Sequence, residues 1–334
     1  GSESSSAALA APVSDVSSHV DWGEAPNIHF FHGRTAELTE LKQWLADDRF
    51  CLIALLGIGG IGKTALAAKV AHDLQRNFDY VIWRSLRNAP PLDTLLNDLV
   101  PFLSNQQDTV CSLPRLMHWL RESRCLVILD NFETILKCGE RAGQFRERYD
   151  GYSELIEVIG QANHQSCLVF TSREKPAEIS ILEGMNLAVQ SMQLSGSPEA
   201  TLALLEARNL QGTLQQKEQL SERCGFSPLA IQIISGSIQD VFDGDISLFL
   251  EEATLLFNGA KKLLDLQFSR LIPLEKTIMF WLAINREWTS IAVLMADIHP
   301  KCSKRKLLEA LESLSWRSLI ERRGNTYTQQ PVIM

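Results

Sequence analysis

The chain has 334 residues, a length that normally divides into about two or three domains. Its hydrophobic fraction of 45% and charged fraction of 22% are close to globular averages, which excludes a disordered, collagenous or coiled-coil chain. Forty acidic against 32 basic residues give a net charge of -8, which argues against a protein built mainly to cover nucleic acid.

The first segment, residues 1–25, is rich in serine and alanine and is predicted to be a disordered leader or linker. It has no Lys or Arg and no long apolar core, so it does not resemble a secretory signal. No run of 18 apolar residues occurs in the chain, so neither a membrane span nor a membrane partner is expected. The seven cysteines are odd in number and form no CxxC pair, which is typical of reduced thiols in a cytoplasmic protein.

Alternating strand and helix patterns predict a first domain at 26–193. Residues 35–46 have helical spacing, residues 50–56 form an apolar run of strand length, and helical spacing returns after a glycine cluster. Further strands are predicted at 79–83, 125–129, 167–170 and 187–192, with helices at 64–74, 92–103, 112–122, 151–163 and 175–183. Strands that are apolar on both faces and alternate with helices indicate an α/β fold with a parallel sheet, here of five strands.

The character of the sequence changes after Leu194. Residues 194–266 show only helical periodicity and predict a small helical domain. In residues 267–334, three helices at 272–284, 289–297 and 303–316 precede a hairpin with a Gly324-Asn325 turn, which predicts a winged helix. We expect this last domain to be cut short at its C-terminus and the chain to be a fragment of a longer protein.

The glycine cluster carries the strongest motif. Residues 57–64 match GxxxxGK[ST] in full, between an apolar strand and a helix. Glycines let the backbone wrap around a polyphosphate, and the helix that follows points its positive end at the phosphates. The alternative is a flexible turn with a surface lysine. The predicted phosphate-binding set is Gly57, Gly59, Gly60, Ile61, Gly62, Lys63, Thr64 and Ala65.

A carboxylate at the end of a neighbouring strand should hold Mg²⁺ together with Thr64. Asp130 ends the apolar run 126–129 and is the predicted Walker B acid, although it could be an ordinary strand-ending aspartate. Many ATPases place a second acid directly afterwards, whereas this chain has Asn131, which cannot act as a base. Glu133 is therefore the predicted general base, with a surface loop glutamate as the alternative.

A further cation follows the strand 167–170. In a parallel sheet, the end of this strand lies at the same edge as the glycine-rich loop 57–64, the P-loop. Arg173 could therefore detect a γ-phosphate through bidentate hydrogen bonds, while the alternative is a simple surface arginine. The predicted catalytic set is Lys63, Asp130, Glu133 and Arg173.

Five motifs in this order resemble the NB-ARC branch of the STAND NTPases, which includes plant resistance proteins and apoptosome scaffolds. They are Phe31-His32-Gly33-Arg34, the P-loop, Walker B, Thr171-Ser172-Arg173, and Gly225-Phe226-Ser227-Pro228-Leu229. The resemblance implies that Phe31, His32, Gly33 and Arg34 contact the adenine end of the nucleotide. It also implies that Pro228, followed by Leu229, packs on the base.

The sequence departs from the family pattern at two places. Asn131 replaces a frequent second Walker B aspartate, which predicts slow hydrolysis. Gln330 stands where the family carries a histidine that contacts the β-phosphate of ADP. The resemblance further implies that effector and sensor modules lie outside this fragment.

These observations predict an ATP- or ADP-binding signalling switch that uses Mg²⁺. It would be closed with ADP, would open and form homo-oligomers with ATP, and would reset by slow hydrolysis. One alternative is an AAA+-like motor. Another is a nucleotide-gated, DNA-binding regulator, because residues 299–325 carry seven Lys or Arg against three Glu. The family uses its winged helix mainly as an intramolecular clamp, so nucleic acid is not the expected partner.

Overall fold

A computed structural model describes residues 18–29, 31–46, 49–138, 142–185, 188–252, 268–285 and 287–329. The strands are β1 (His19–Asp21), β2 (Leu52–Leu56), β3 (Tyr80–Ser85), β4 (Cys125–Asp130), β5 (Cys167–Ser172), β6 (Val189–Gln193), β7 (Thr289–Ser290), β8 (Ile320–Arg323) and β9 (Thr326–Gln329). The helices are α1 (Thr35–Ala46), α2 (Lys63–Leu74), α3 (Leu92–Leu103), α4 (Leu113–Glu122), α5 (Gly151–Gln161), α6 (Ala177–Gly184), α7 (Pro198–Ala207), α8 (Leu214–Arg223), α9 (Pro228–Val241), α10 (Ile246–Glu252), α11 (Pro273–Asn285), α12 (Ile291–Asp297) and α13 (Lys304–Trp316).

The first domain is built on a parallel sheet with the strand order β1-β3-β4-β5-β2-β6. Every residue of β2, β4 and β5 is buried, because helices cover both faces of the sheet. Helices α1 and α2 pack on one face, and α3 to α6 pack on the other. The α/β class and the parallel sheet are thus as the sequence predicts.

The sheet has six strands, so the predicted count of five is wrong. The additional strand, β1, pairs in parallel with β3 at the edge of the sheet and lies within the predicted leader 1–25. It has only three residues and no apolar run, so it lacks a strand pattern. Pairing with β3, together with the ion pair between Asp21 and Arg84 (2.8 Å), holds it in place.

Two smaller units follow the sheet. Helices α7 to α10 enclose their own apolar cluster. Helices α11 to α13 accompany an antiparallel sheet of order β7-β9-β8, and their buried residues are continuous with the α1 and α2 side of the first core. The third unit is therefore packed directly on the first domain. Among the described helices, none is both long and apolar enough to traverse a lipid bilayer.

Candidate nucleotide-binding site

The loop between β2 and α2 is shaped by glycines and closed by the helix that follows. Gly60 has φ +80°, and a Cβ there would lie 2.6 Å from the Cβ of Leu229, so a larger residue would be strained at this position. Gly62 is left-handed with φ 104° and immediately precedes the first residue of α2. The amino end of α2, with its positive partial charge, therefore points into the loop.

Lys63 lies inside this loop with only 7% of its surface exposed. Its Nζ donates hydrogen bonds to the carbonyl oxygens of Gly57 (2.6 Å) and Ile58 (2.9 Å). Burial lowers the pKa of Lys63 to about 8, and the carboxylate of Glu133 opposes the shift. An anion bound in the loop would favour the ammonium form, so this lysine is suited to contact phosphate oxygens.

The predicted magnesium ligands lie together. Thr64 Oγ1 donates to Asp130 Oδ1 at 2.8 Å, and Thr171 Oγ1 donates to the same oxygen at 2.5 Å. Burial raises the pKa of Asp130, while the bonds from Thr171 and Thr64 act in the opposite direction. A hydroxyl and a carboxylate are the hard oxygen ligands that Mg²⁺ prefers, so these residues fit the ion.

The strand order explains how these three side chains meet. Strand β5 lies between β2, which leads into the P-loop, and β4, which ends in Asp130. Leu129 pairs with Phe170, so the next residues, Asp130 and Thr171, are neighbours at the sheet edge. Thr171 belongs to the motif Thr171-Ser172-Arg173, but it is not among the site residues predicted from the sequence. It contacts Asp130 because its strand, β5, lies between β4 and β2.

The predicted base and the predicted sensor contact one another. Arg173 Nε lies 3.0 Å from Glu133 Oε1, and the Arg173 main-chain N–H donates to Glu133 Oε2 at 3.3 Å. Glu133 belongs to a short 3₁₀ turn at Phe132–Ile135 and is buried. Asn131, just before the turn, is left-handed with φ 64°. Neither Glu133 nor Arg173 is the simple surface residue of the alternative interpretation.

Arg34 occupies a structural position beneath the P-loop. Its Nη2 donates to the carbonyl oxygens of Ile61 and Ser195, both at 2.7 Å, and its Nη1 pairs with Glu37. The side chain is almost completely buried, and burial lowers its pKa. Arg34 therefore joins the phosphate loop to the segment that enters the helical unit.

The other residues of the first motif surround this anchor. Phe31 is half-buried against the first core, and His32 is exposed. A Cβ at Gly33 would lie 2.7 Å from the main-chain nitrogen of Ala200, at the start of α7. Their predicted contact with adenine stays a prediction. Gln330 lies outside the described residues.

The helical unit reaches the P-loop through its predicted motif. Pro228 is the first residue of α9, and the Leu229 N–H donates to the carbonyl oxygen of Gly60 at 3.3 Å. Ser227 caps the helix by accepting a hydrogen bond from the Ala230 N–H. Leu229 therefore contacts the phosphate loop, whereas the implied packing of Pro228 on the base stays a prediction. Ala65 is half-buried in the first turn of α2.

Sequence reasoning missed a set of charged residues beside the sensor. Glu174 follows Arg173 and is buried, and it pairs with Arg270 and Arg317 of the third unit. Its position directly after the sensor motif was the only available signal. Arg270 and Arg317 lie 96 and 143 residues away along the chain and belong to no local pattern.

Comparisons with known proteins agree with this geometry. Residues 34–136 match the NB-ARC domain family. The chain is 45% identical to an uncharacterized WD repeat-containing protein of Nostoc sp. over 95% of the chain and 27% of that protein. It is 28% identical to regulatory protein AfsR of Streptomyces griseus over 62% of the chain and 21% of that protein. A probable disease resistance protein of Arabidopsis thaliana is 26% identical over 57% and 21%, respectively.

A Walker-type ATPase of Pyrococcus abyssi has the same fold, with a TM-score of 0.59 and 16% identity over 91% of this chain and 95% of that structure. The fold and the site thus define a nucleotide-binding domain of the P-loop NTPase class. The chain belongs to the NB-ARC family of STAND NTPases, as its motifs predict. The chain spans 21–27% of the length of the relatives from Nostoc, Streptomyces and Arabidopsis.

Proposed function

We propose that the protein is an ATP- and ADP-dependent switch in which the second and third units close over the nucleotide-binding domain. One observation carries the proposal: both later units contact the nucleotide site itself. Leu229 of the helical unit donates to Gly60 of the P-loop, and Arg270 of the third unit donates to the carbonyl oxygen of Glu133 at 3.2 Å. A change at the phosphates can therefore alter contacts between units.

In this proposal, the P-loop amides and Lys63 hold the phosphates, while Thr64 and Asp130 hold Mg²⁺, which neutralises phosphate charge when bound. Phe31 to Arg34 and Pro228 lie on the adenine side. ADP favours the closed arrangement, and ATP favours an open form that assembles into homo-oligomers. A nucleotide shifts such an equilibrium only through its different affinities for the two forms, so the γ-phosphate must change a contact.

Hydrolysis is proposed to be slow and to act as a reset. The position after Asp130 holds Asn131, which accepts no proton. Glu133, the proposed base, is engaged by Arg173, so it is not free to orient water in this arrangement. Lys63 and Arg173 would stabilise charge on the transferred phosphoryl group.

We interpret the third unit as a winged helix, because three helices, a short strand and a hairpin make up its described part. Its basic residues do not favour DNA binding. Lys301 Nζ donates to carbonyl oxygens at the end of α12, Arg305 pairs with Glu309, and Arg322 donates to its own hairpin. Arg317 is buried against the first domain. Four of the seven basic residues in 299–325 thus have partners within the protein.

A cytoplasmic location is supported by the cysteines, all seven of which are free. The WD repeats in the name of the Nostoc relative, together with the small share of that protein that the chain covers, support effector and sensor modules outside these 334 residues. No observation on the described residues favours a motor, since no arginine is singled out as a finger for a neighbouring subunit.

Calorimetry tests the nucleotide site. We expect ADP and ATP to bind in the presence of Mg²⁺. Lys63→Ala should weaken binding about 100-fold, because the buried ammonium of Lys63 gives the loop a full positive charge to pair with the phosphates. Lys69→Ala, which removes an exposed ion pair on the same helix, should bind normally. Equal heats for Lys63→Ala and the parent, or no heat for either, would overturn the proposal.

The switch is tested by comparing the mass and dimensions of the protein with ADP and with ATP. Light scattering and small-angle X-ray scattering should show a compact monomer with ADP and larger, open species with ATP and Mg²⁺. An identical size and compactness with both nucleotides would contradict the switch while leaving nucleotide binding intact.

A further inference from the structure

Two consecutive residues in the loop after β5 point their side chains toward different parts of the molecule. Arg173 points to the nucleotide site, where its Nε pairs with Glu133 at 3.0 Å. Glu174 points to the third unit, where its Oε1 lies 2.7 Å from both Arg270 Nε and Arg317 Nη1. The predicted sensor of the γ-phosphate and the main acid of the unit interface are therefore joined by a single peptide bond.

The interface charges are deeply buried. Glu174 and Arg317 are each 2% exposed, and Glu275 of α11, with Oε2 3.7 Å from Arg317 Nε, is completely buried. Glu174 Oε2 and Glu275 Oε1 have no hydrogen-bond partner among the described residues. A buried ion network is favourable only while its geometry is good, because its desolvation cost is paid in full. This network is thus sensitive to small displacements of Glu174.

Main-chain contacts tie the loop to the same part of the third unit. The Lys175 N–H donates to the carbonyl oxygen of Trp316 at 3.0 Å. Glu174-Lys175 therefore runs alongside Trp316-Arg317, with one main-chain bond and one ion pair between the two segments. A movement of the loop displaces both contacts together.

Arg270 connects the two halves of the arrangement. Its Nε pairs with Glu174, and its Nη2 donates to the main-chain oxygen of Glu133. Glu133 is thus engaged twice: its carboxylate holds Arg173, and its carbonyl accepts from the third unit. Displacing Arg173 from Glu133 would disturb the turn at Phe132–Ile135 and the loop after β5 at the same time.

We propose that Glu174 is the latch that holds the third unit closed, and that Glu133 competes with the γ-phosphate for Arg173. When the γ-phosphate takes Arg173 from Glu133, the loop shifts, Glu174 separates from Arg270 and Arg317, and the third unit is released. This inference rests on the proposed switch and names the residues that regulate it. Proton abstraction by Glu133 is not needed for this role.

The test uses Glu174→Gln, which keeps the shape of the side chain and removes its charge. In small-angle scattering with ADP, we expect this variant to adopt the open dimensions of the parent with ATP, with the ratio of open to closed protein raised roughly tenfold or more. Glu133→Gln should shift the same ratio toward open when ATP is present, because Arg173 loses its competitor. Arg305→Gln, whose pair with Glu309 stays within α13, is the matched control and should behave as the parent.

Arg270→Gln provides a second route, since Arg270 is less buried than Glu174 and its loss endangers folding less. The double variant Glu174→Gln and Arg270→Gln should open by less than the sum of the two single effects, because each single variant already removes the pair between Glu174 and Arg270. Closed dimensions for Glu174→Gln and Arg270→Gln with ADP, or fully additive opening, would overturn the latch. A parent that binds nucleotide but never opens would overturn the switch instead. Thermal unfolding of each variant identifies any that misfolds.

Discussion

The two sides of the nucleotide site are held together by different forces. On the phosphate side, a fully buried parallel strand leads into the loop, and short hydroxyl bonds from Thr64 and Thr171 fix Asp130. On the side of the third unit, long charged side chains meet in the interior, with Glu174 between two arginines. Short bonds on a sheet edge tolerate little movement, whereas a buried ion network loses its benefit once it is displaced. In the proposed switch, this difference assigns the fixed contacts to the phosphate side and the movable contacts to the interface with the third unit.

The largest expected effect is on hydrolysis, from Asp130→Asn. The amide removes the charge that holds Mg²⁺, so single-turnover release of phosphate from ATP should fall about 100-fold or more. Since burial already raises the pKa of Asp130, the neutral amide should leave the thermal midpoint close to that of the parent. Asp98→Asn, on an exposed ion pair, should not change the rate. An unchanged rate for Asp130→Asn would show that the fixed side is not the metal side.

Gly60→Ala tests how tightly the helical unit is fitted on the P-loop. The added Cβ meets Leu229 at 2.6 Å in a backbone with φ +80°, so unfolding should become easier by about 1–3 kcal/mol. Denaturant titration measures this change. Gly184→Ala is the control, because a Cβ there meets nothing within 4 Å in the described part of the chain. Equal stabilities for the two variants would mean that the contact with Leu229 is not formed in solution.

Arg34→Lys tests the anchor below the P-loop. A lysine cannot replace a guanidinium that bonds the carbonyl oxygens of Ile61 and Ser195 at once, so about 1–2 kcal/mol of unfolding free energy should be lost. Nucleotide affinity should fall with it, because the loop is less well held. Arg76→Lys, at an exposed position, should cost nothing measurable in the same titration. A stable Arg34→Lys would assign the anchor to other contacts.

The smallest effect concerns the cysteines and leaves function unchanged. Burial raises the pKa of Cys51 to about 11 and those of Cys125 and Cys224 to about 12. The reactive thiolate is therefore scarce at pH 8, and these residues should resist iodoacetamide until the protein unfolds. Exposed Cys138 should be alkylated first. Peptide mass mapping measures the order, and rapid labelling of Cys125 in the folded protein would contradict the buried core.

The sequence allows the residues at the phosphate side of the site to be predicted, but not the contacts between the residues beside them. Lys63 and Asp130 follow apolar strands within a strong local motif, so their position at the sheet edge could be predicted. Glu133 and Arg173 can each be identified from the sequence, but their pairing depends on β5 lying beside β4, and strand order is not a local property. Strand β1 was missed because edge pairing, not its three residues, creates it.

The interface residues were out of reach for the same reason. Arg270 and Arg317 have no spacing that marks them, and they acquire a role only when the third unit packs on the first. Arg34 is predicted from family resemblance to contact the adenine end, yet its observed bonds hold the backbone of the loop. The sequence motif thus identifies Arg34, but its contacts can be known only from the folded structure.

Gly59 lies directly against the sensor: a Cβ at this position would be 3.0 Å from the Arg173 Cζ. A single methyl group here would move the guanidinium without changing any charge in the site. Under the proposed switch, position 59 therefore offers a steric means of tuning nucleotide preference, and a graded series of small residues would suit the engineering of a biosensor that reports the ratio of ATP to ADP.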